Sequence, residues 1–219
     1  MNRFYMALGA VAVVGGASVF YLVRAQPAAS RAAAGAPVAV VDDGFRGYTM
    51  GSDNAPVEVT EYGDFECPAC ASFATVQMPT IREQLIATGK VRWRYRDYPL
   101  PSHRYSRFSA HAAQCAGEQG KFWEMHDQLF SNHGWAQTGR DPSGLFRDLA
   151  RAVGVDLARY DACMESGRYA SRIEFSRQEG EQRGVNGTPT FYVGAREYAG
   201  HSTSDGFKAL VDSLTAHRQ

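Results

Sequence analysis

The sequence has no charge imbalance and very little cysteine. Its 219 residues carry 23 basic and 23 acidic side chains, a formal net charge of zero. Without an excess of Lys and Arg there is no long-range field to gather polyanions, which argues against a nucleic-acid binder and against a polybasic membrane-surface protein. Cysteine stops at four, too few for a small disulfide-stapled scaffold at this length but an even number that fits two pairs. No internal repeat is present, and a single Cys-x-x-Cys stands without a second one and without a His-x-His cluster. Charged residues make up 21% against 44% hydrophobic and 12% aromatic, so most of the chain can bury enough apolar surface to offset the entropy of ordering it, and disorder is a poor fit. The length allows one domain plus appendages.

The N-terminus holds the one long apolar run. After a short basic start at Arg3, residues 4–23 (FYMALGAVAVVGGASVFYLV) are uncharged, and Arg24 closes them. At about 1.5 Å per helical residue, such a run roughly matches a ~30 Å hydrocarbon core. Two readings stay open, a cleaved secretory signal and an uncleaved signal-anchor helix. The length favours the anchor, because the apolar region of a signal peptide usually runs about 7–15 residues. Either reading exports the body to an extracytoplasmic compartment, the periplasm or cell envelope. From Ala25 the chain (AQPAASRAAAGAPVA) is small and proline-punctuated, with nothing to pack, which reads as a tether. The expected organisation is a signal or anchor over 1–24, a flexible linker over 25–47 and a folded domain over 48–219.

Within the body, residues 57–62 (VEVTEY) alternate apolar and polar side chains with β-branched enrichment, and predict a strand ended by Gly63. A helix follows the cysteine motif to about Ala87, with Phe73, Val76, Ile81 and Leu85 near helical spacing and a kink expected at Pro79. Residues 91–98 (VRWRYRDY) alternate again. Strand, helix, strand suggests a βαβ unit with a parallel pair. Helical periodicity then covers 105–116, 121–131, 144–153, 157–166 and 169–183. Near the end, 190–193 and 196–199 flank Gly194-Ala195 as a hairpin, and 205–214 is amphipathic. The fold class is a small mixed α/β sheet interrupted by a helical block.

The chemistry centres on Cys67-Pro68-Ala69-Cys70, at the passage from strand to helix. Cys67 would sit at the helix N-terminus, facing unpaired backbone N–H groups and the positive end of the helix dipole. Those donors stabilise a thiolate, so its pKa is expected well below the free value of about 8.5, which makes it a nucleophile and a good leaving group. Cys70, one turn on, is within reach of a tight disulfide, and burial would make it the resolving thiol. Half a zinc site is the bland alternative, but structural zinc asks for four ligands. His111 and Cys115 share i, i+4 spacing, which by itself more often marks core residues than ligands. The aromatics around Phe122, Trp123 and Phe130 read as core packing.

A second motif, Gly187-Thr188-Pro189-Thr190-Phe191, puts proline at the mouth of a predicted strand, where it marks an edge, a first residue or a cis turn. The strand, Cys-x-x-Cys, helix, strand, helical block and Gly-Thr-Pro-Thr-Phe before a hairpin together resemble the thioredoxin superfamily. More narrowly, the chain is similar to the DsbA-like thiol:disulfide oxidoreductases, membrane-anchored or secreted, over nearly the whole body from about Met50 to about Leu214. The resemblance implies a thioredoxin-like fold with a helical insertion at about 101–180. It implies that Cys67 is the attacking cysteine, Cys70 its resolving partner and Pro189 the cis-proline beside them. Thr188 and Pro68 would contact an extended substrate segment, as in β-strand addition. Glu61, six positions before Cys67, falls where the superfamily places a buried acid. An exposed strand carboxylate is the alternative there, and a raised pKa is expected only on burial. Cys115 and Cys163, as in some DsbA-like branches, would form a structural disulfide in the helical block, with a second redox pair as the alternative.

Two features bear on the potential. By the resemblance, Ala69 supplies neither the charge nor the hydrogen bond that a histidine there gives to strongly oxidising relatives, and the charge of Glu66 opposes a thiolate. The activity implied is donation of the Cys67–Cys70 disulfide to unfolded or partly folded exported proteins, by a monomer reoxidised by a membrane partner of the DsbB or vitamin-K-epoxide-reductase type. No cofactor and no nucleic acid are implied. A disulfide isomerase or reductase kept reduced by a membrane donor, and a thiolate metallochaperone, stay open as alternatives. His103 and His201 are the histidines placed nearest the site mouth, both read as surface residues.

Overall fold

The computed structural model describes residues 39–198 and 203–216, so the predicted anchor or signal, most of the tether, His201 and the end of the predicted hairpin lie outside the described residues. Among the described residues no helix is long and apolar enough to cross a membrane.

A five-stranded mixed sheet is built from β1 (Tyr48–Met50), β2 (Val57–Gly63), β3 (Val91–Asp97), β4 (Thr190–Val193) and β5 (Arg196–Glu197), in the order β1-β3-β2-β4-β5. The expected parallel pair is present, with Val57 opposite Val91 and Gly63 opposite Asp97, while β1, β4 and β5 pair antiparallel to their neighbours. β1 is missing from the sequence reading because three residues are too few to show a period, and its only pairing is with β3.

Alternation along β2 and β3 sends Val57, Val59, Val91 and Trp93 to one face, where they meet Phe73, Ile81 and Leu85 of the helix after β2, and Phe207 and Val211 of the last helix. That first helix, α1, occupies residues 68–86, α-helical over Pro68–Ser72 and Met78–Ile81, with π-helical turns at Phe73–Gln77 and Arg82–Ile86. The expected disturbance at Pro79 takes this form, since proline donates no N–H to the ladder and the extra residue of a π turn absorbs the mismatch. The other face carries Tyr62 and Tyr192, packed with Tyr98 and Val185.

Between β3 and β4 lie α2 (Ser106–Gly117), α3 (Phe122–Ser131), the short α4 (Trp135–Thr138), α5 (Ser143–Ala152), α6 (Leu157–Ser166) and α7 (Ala170–Gln182); α8 (Ser204–Ala216) closes the described chain. This helical block has its own core of Ala112, Ala116, Phe122, Met125, Leu129, Phe130 and Phe146, continuous with Phe65 and Tyr95 of the sheet. Cys115 on α2 and Cys163 on α6 are joined as a disulfide inside that core, each about 1% exposed.

Part of the stretch read from the sequence as a linker over 25–47 is described, from residue 39 on. Residues 41–47 are held on the body: the Val41 amide donates to Ser171 Oγ at 2.8 Å, Asp43 pairs with Arg172 at 2.7 Å, and the Arg172 guanidinium stacks 4.2 Å over Phe45. Phe45 and Asp43 thus tie this stretch to Arg172 of the body.

Candidate active site

The end of β2 and the start of α1 are joined by Asp64-Phe65-Glu66, and each of the three is fixed. Gly63 precedes them because the Tyr95 ring lies against its backbone; a Cβ there would come 2.5 Å from a ring carbon. Phe65 is buried against Tyr95 and Phe130, with ring centroids 5.3 and 5.0 Å away. The Asp64 carboxylate accepts from the Glu66 amide at 2.8 Å and the Leu100 amide at 2.9 Å, and meets His103 Nδ1 at 2.7 Å. Its carbonyl accepts the Cys67 amide at 3.1 Å. Glu66, whose charge was expected to oppose the thiolate, turns its carboxylate to the Tyr105 amide at 2.6 Å. Sequence reasoning missed Asp64. Its one signal was an aspartate two residues before an amide it could bond in a tight turn.

Cys67 is the N-cap of α1, with extended backbone (φ −77°, ψ 122°), and Pro68 occupies the first helical position, where a missing N–H costs nothing. Both cysteines are free thiols, Cys67 6% exposed and Cys70 fully buried. Across the crevice the Thr188–Pro189 peptide is cis, and Cys67 Sγ lies 3.3 Å from the Thr188 carbonyl oxygen. The site thus brings together Cys67, Cys70, Thr188 and Pro189 from sequence positions more than a hundred residues apart. Pro68 and Ala69 are exposed beside them.

The Cys67 thiol is pulled down to about 5. The hydrogen bond from the Cys70 thiol contributes most, followed by Thr188 and the Cys70 and Ala69 amides of the first turn, all against a burial that raises it. The Thr188 hydroxyl is buried and has no other hydrogen-bond partner, which leaves it free to turn toward the sulfur. The Cys70 thiol goes the other way, well above its ordinary value, first because it is buried and then because Cys67 and Glu61 bear on it.

Glu61 is 1% exposed and is therefore not the surface carboxylate of the alternative reading. Burial lifts it to about 7, opposed by the Trp93 indole N–H donated to Oε2 at 3.0 Å and by the charge of Arg82. Its other oxygen, Oε1, has no hydrogen-bond partner. Chemically, the arrangement joins a nearly buried sulfur held as a thiolate to a protonated sulfur and a buried acid with a pKa near neutrality. Among the described residues, the one trio of His, Cys, Asp or Glu ligand atoms close enough to hold a metal is His111, Cys115 and Cys163, and it includes neither Cys67 nor Cys70.

Comparison with known proteins places this geometry. The thioredoxin family profile matches residues 46–213. The chain is 36% identical over 218 residues to the Na(+)/H(+) antiporter NhaA 3 of Salinispora tropica, covering 94% of this chain but only 32% of the antiporter's length. It is 25% identical over 166 residues to disulfide bond formation protein D of Bacillus subtilis, covering 74% of each. The crystal structure of oxidised BdbD from Bacillus subtilis superimposes with a TM-score of 0.69 at 25% identity, over 76% of this chain and 91% of that one. The fold is accordingly thioredoxin-like with a helical block set into it, similar to that of BdbD, and the chain belongs to the thioredoxin family.

Proposed function

We propose that this chain is an extracytoplasmic oxidase that passes a Cys67–Cys70 disulfide to the thiols of exported proteins. The observation that carries the reading is the opposed pair of sulfurs, with Cys67 lowered to about 5 and Cys70 raised. Whatever stabilises the reduced form makes the disulfide a stronger oxidant, so a thiolate this favoured supports disulfide donation over reduction. The Cys70 thiol and the Cys70 and Ala69 amides supply what the Ala69 side chain does not.

In the cycle, a substrate thiolate attacks Cys67 Sγ of the oxidised enzyme. The Cys67–Cys70 bond breaks, a mixed disulfide forms, and Cys70 leaves with the electron pair. Glu61 hands its proton to that buried sulfur. A second substrate thiolate then attacks the substrate sulfur of the mixed disulfide, expelling Cys67 as a thiolate that stays ionised at neutral pH. Two substrate thiols become one disulfide, and the enzyme gains two electrons that a membrane-bound partner would withdraw. The Thr188 carbonyl lies beside Cys67 at the cis peptide to Pro189, and an extended substrate segment would lie along it, with exposed Pro68 nearby.

Equilibration of the Cys67–Cys70 pair with glutathione tests the direction. A potential well above the thioredoxin value of about −270 mV agrees with an oxidase, and one at or below it marks a reductase. Cys67→Ser removes oxidase turnover on a reduced, unfolded protein; turnover that survives it refutes the cycle. Stoichiometric metal lost on the same substitution would instead mark a metallochaperone.

A further inference from the structure

The i, i+4 pair His111 and Cys115 acquires a third donor in the fold. A ring nitrogen of His111 and the sulfurs of Cys115 and Cys163 all lie within 4.8 Å of one another, and all three residues are more than nine-tenths buried. His111 Nε2 sits 3.0 Å from the Cys163 carbonyl oxygen. That oxygen can only accept, so Nε2 carries the ring proton and Nδ1 keeps a lone pair, which is buried with no hydrogen-bond partner. A histidine whose one nitrogen donates to a carbonyl while the other is bare is the usual outer-shell arrangement of a metal-binding imidazole. The same carbonyl accepts from Ser166 Oγ at 2.7 Å, and Ser166 Oγ in turn accepts Arg168 Nε at 3.0 Å, which brings a positive charge one link from Cys163.

We propose that, when the Cys115–Cys163 disulfide is reduced, these three side chains form a binding site for Cu(I). Two thiolates and one imidazole are a soft, three-donor set, whereas structural zinc asks for a fourth ligand that the cluster does not offer. A dithiol reductant gives two electrons to the Cys115–Cys163 bond and becomes a disulfide itself, and each cysteine ends with a proton. Cu(I) then displaces both protons to solvent, forming two Cu–S bonds and one Cu–N bond without changing oxidation state. Disulfide and metal therefore exclude one another, and this site does not depend on the exchange chemistry at Cys67.

The test uses the full chain carrying Cys67→Ser and Cys70→Ser, so that only the second pair of thiols remains. It is reduced with a dithiol, freed of it, and titrated anaerobically with Cu(I) against a chromophoric Cu(I) chelator. One Cu(I) per chain in the reduced form, none with the disulfide closed, and retention weakened about tenfold or more by His111→Ala support the site. X-ray absorption of the loaded chain should show two sulfurs and one nitrogen on copper, which decides the matter even where His111→Ala fails to fold. No uptake by the reduced chain, loss of its helical circular dichroism on reduction, uptake unaffected by Cys115→Ser, sulfur-only coordination, or uptake of Zn(II) in place of Cu(I) would each overturn it.

Discussion

Glu61 shows how one buried carboxyl couples stability to chemistry. Its folded-state pKa is raised from 4.5 to about 7 because burial disfavours the charged form. Over that interval the folded state holds a proton that the unfolded state has released. The stability linked to Glu61 is therefore full below about pH 4.5 and is lost as pH rises toward 7, an effect on the order of 3 kcal/mol. Asp97, buried and raised to about 6, adds in the same direction. Cys67 works with the opposite sign in the reduced protein: its lowered pKa contributes stability at high pH that is lost as pH falls through about 5. In urea unfolding of the Cys67→Ser variant between pH 4 and 8, Glu61 and Asp97 contribute a component that falls as pH rises, against the opposite component of the buried His111 and His126, whose lowered pKa values add stability as pH rises; adding Glu61→Gln should remove much of the falling component. A slope untouched by Glu61→Gln would remove Glu61 as a buried acid. If Glu61 also supplies the proton to Cys70, Glu61→Gln should slow the exchange step by about 100-fold at pH 7, measured by stopped-flow mixing with a thiol substrate.

At the scale of elements, the loop before α1 sets the aim of Cys67. Asp64 gathers two amides and His103 on its carboxylate and the Cys67 amide on its carbonyl. Asp64→Asn keeps the shape but gives up the charge that faces three donors, and should cost about 1–3 kcal/mol in denaturant unfolding. Gly63→Ala forces a methyl group against the Tyr95 ring, an overpacking of about 1–3 kcal/mol visible as a lowered Tm. The main elements were legible in the sequence. β2 and β3 announced themselves by alternation, and the helices by their 3.6-residue period. What stayed hidden lacks a local signal. β1 is three residues long; α4 spans four residues between glycines. Asp64 looks like any turn aspartate until Leu100 and His103 fold back on it. Glu61 could be assigned to a strand but its burial could not, because Trp93 and α1 close over it only in three dimensions.

At the scale of the described chain, the helical block and the exchange site share one core, distinct from the one between the sheet, α1 and α8. The sheet and α1 supply the exchange site, while the helical block, stapled by Cys115–Cys163, stands on Phe65 and Tyr95 directly behind it. The disulfide closes a loop over a separation of 48 residues, for which chain entropy sets a ceiling of about 4 kcal/mol. Cys115→Ser with Cys163→Ser should lower unfolding stability by about 2–4 kcal/mol while leaving the Cys67 titration in place; a shift of that titration would show that the staple also tunes the site. Long-range placement of this kind is what the sequence carried least, since the approach of Thr188 to Cys67 depends on the whole sheet closing. Exchange at this site depends on the ionisation of one sulfur, that of Cys67. Ultraviolet titration of thiolate absorbance in the reduced chain, compared with Cys67→Ser, should give a transition near pH 5 that the variant lacks. A Cys67 midpoint near 8.5, that of a free thiol, would contradict the account.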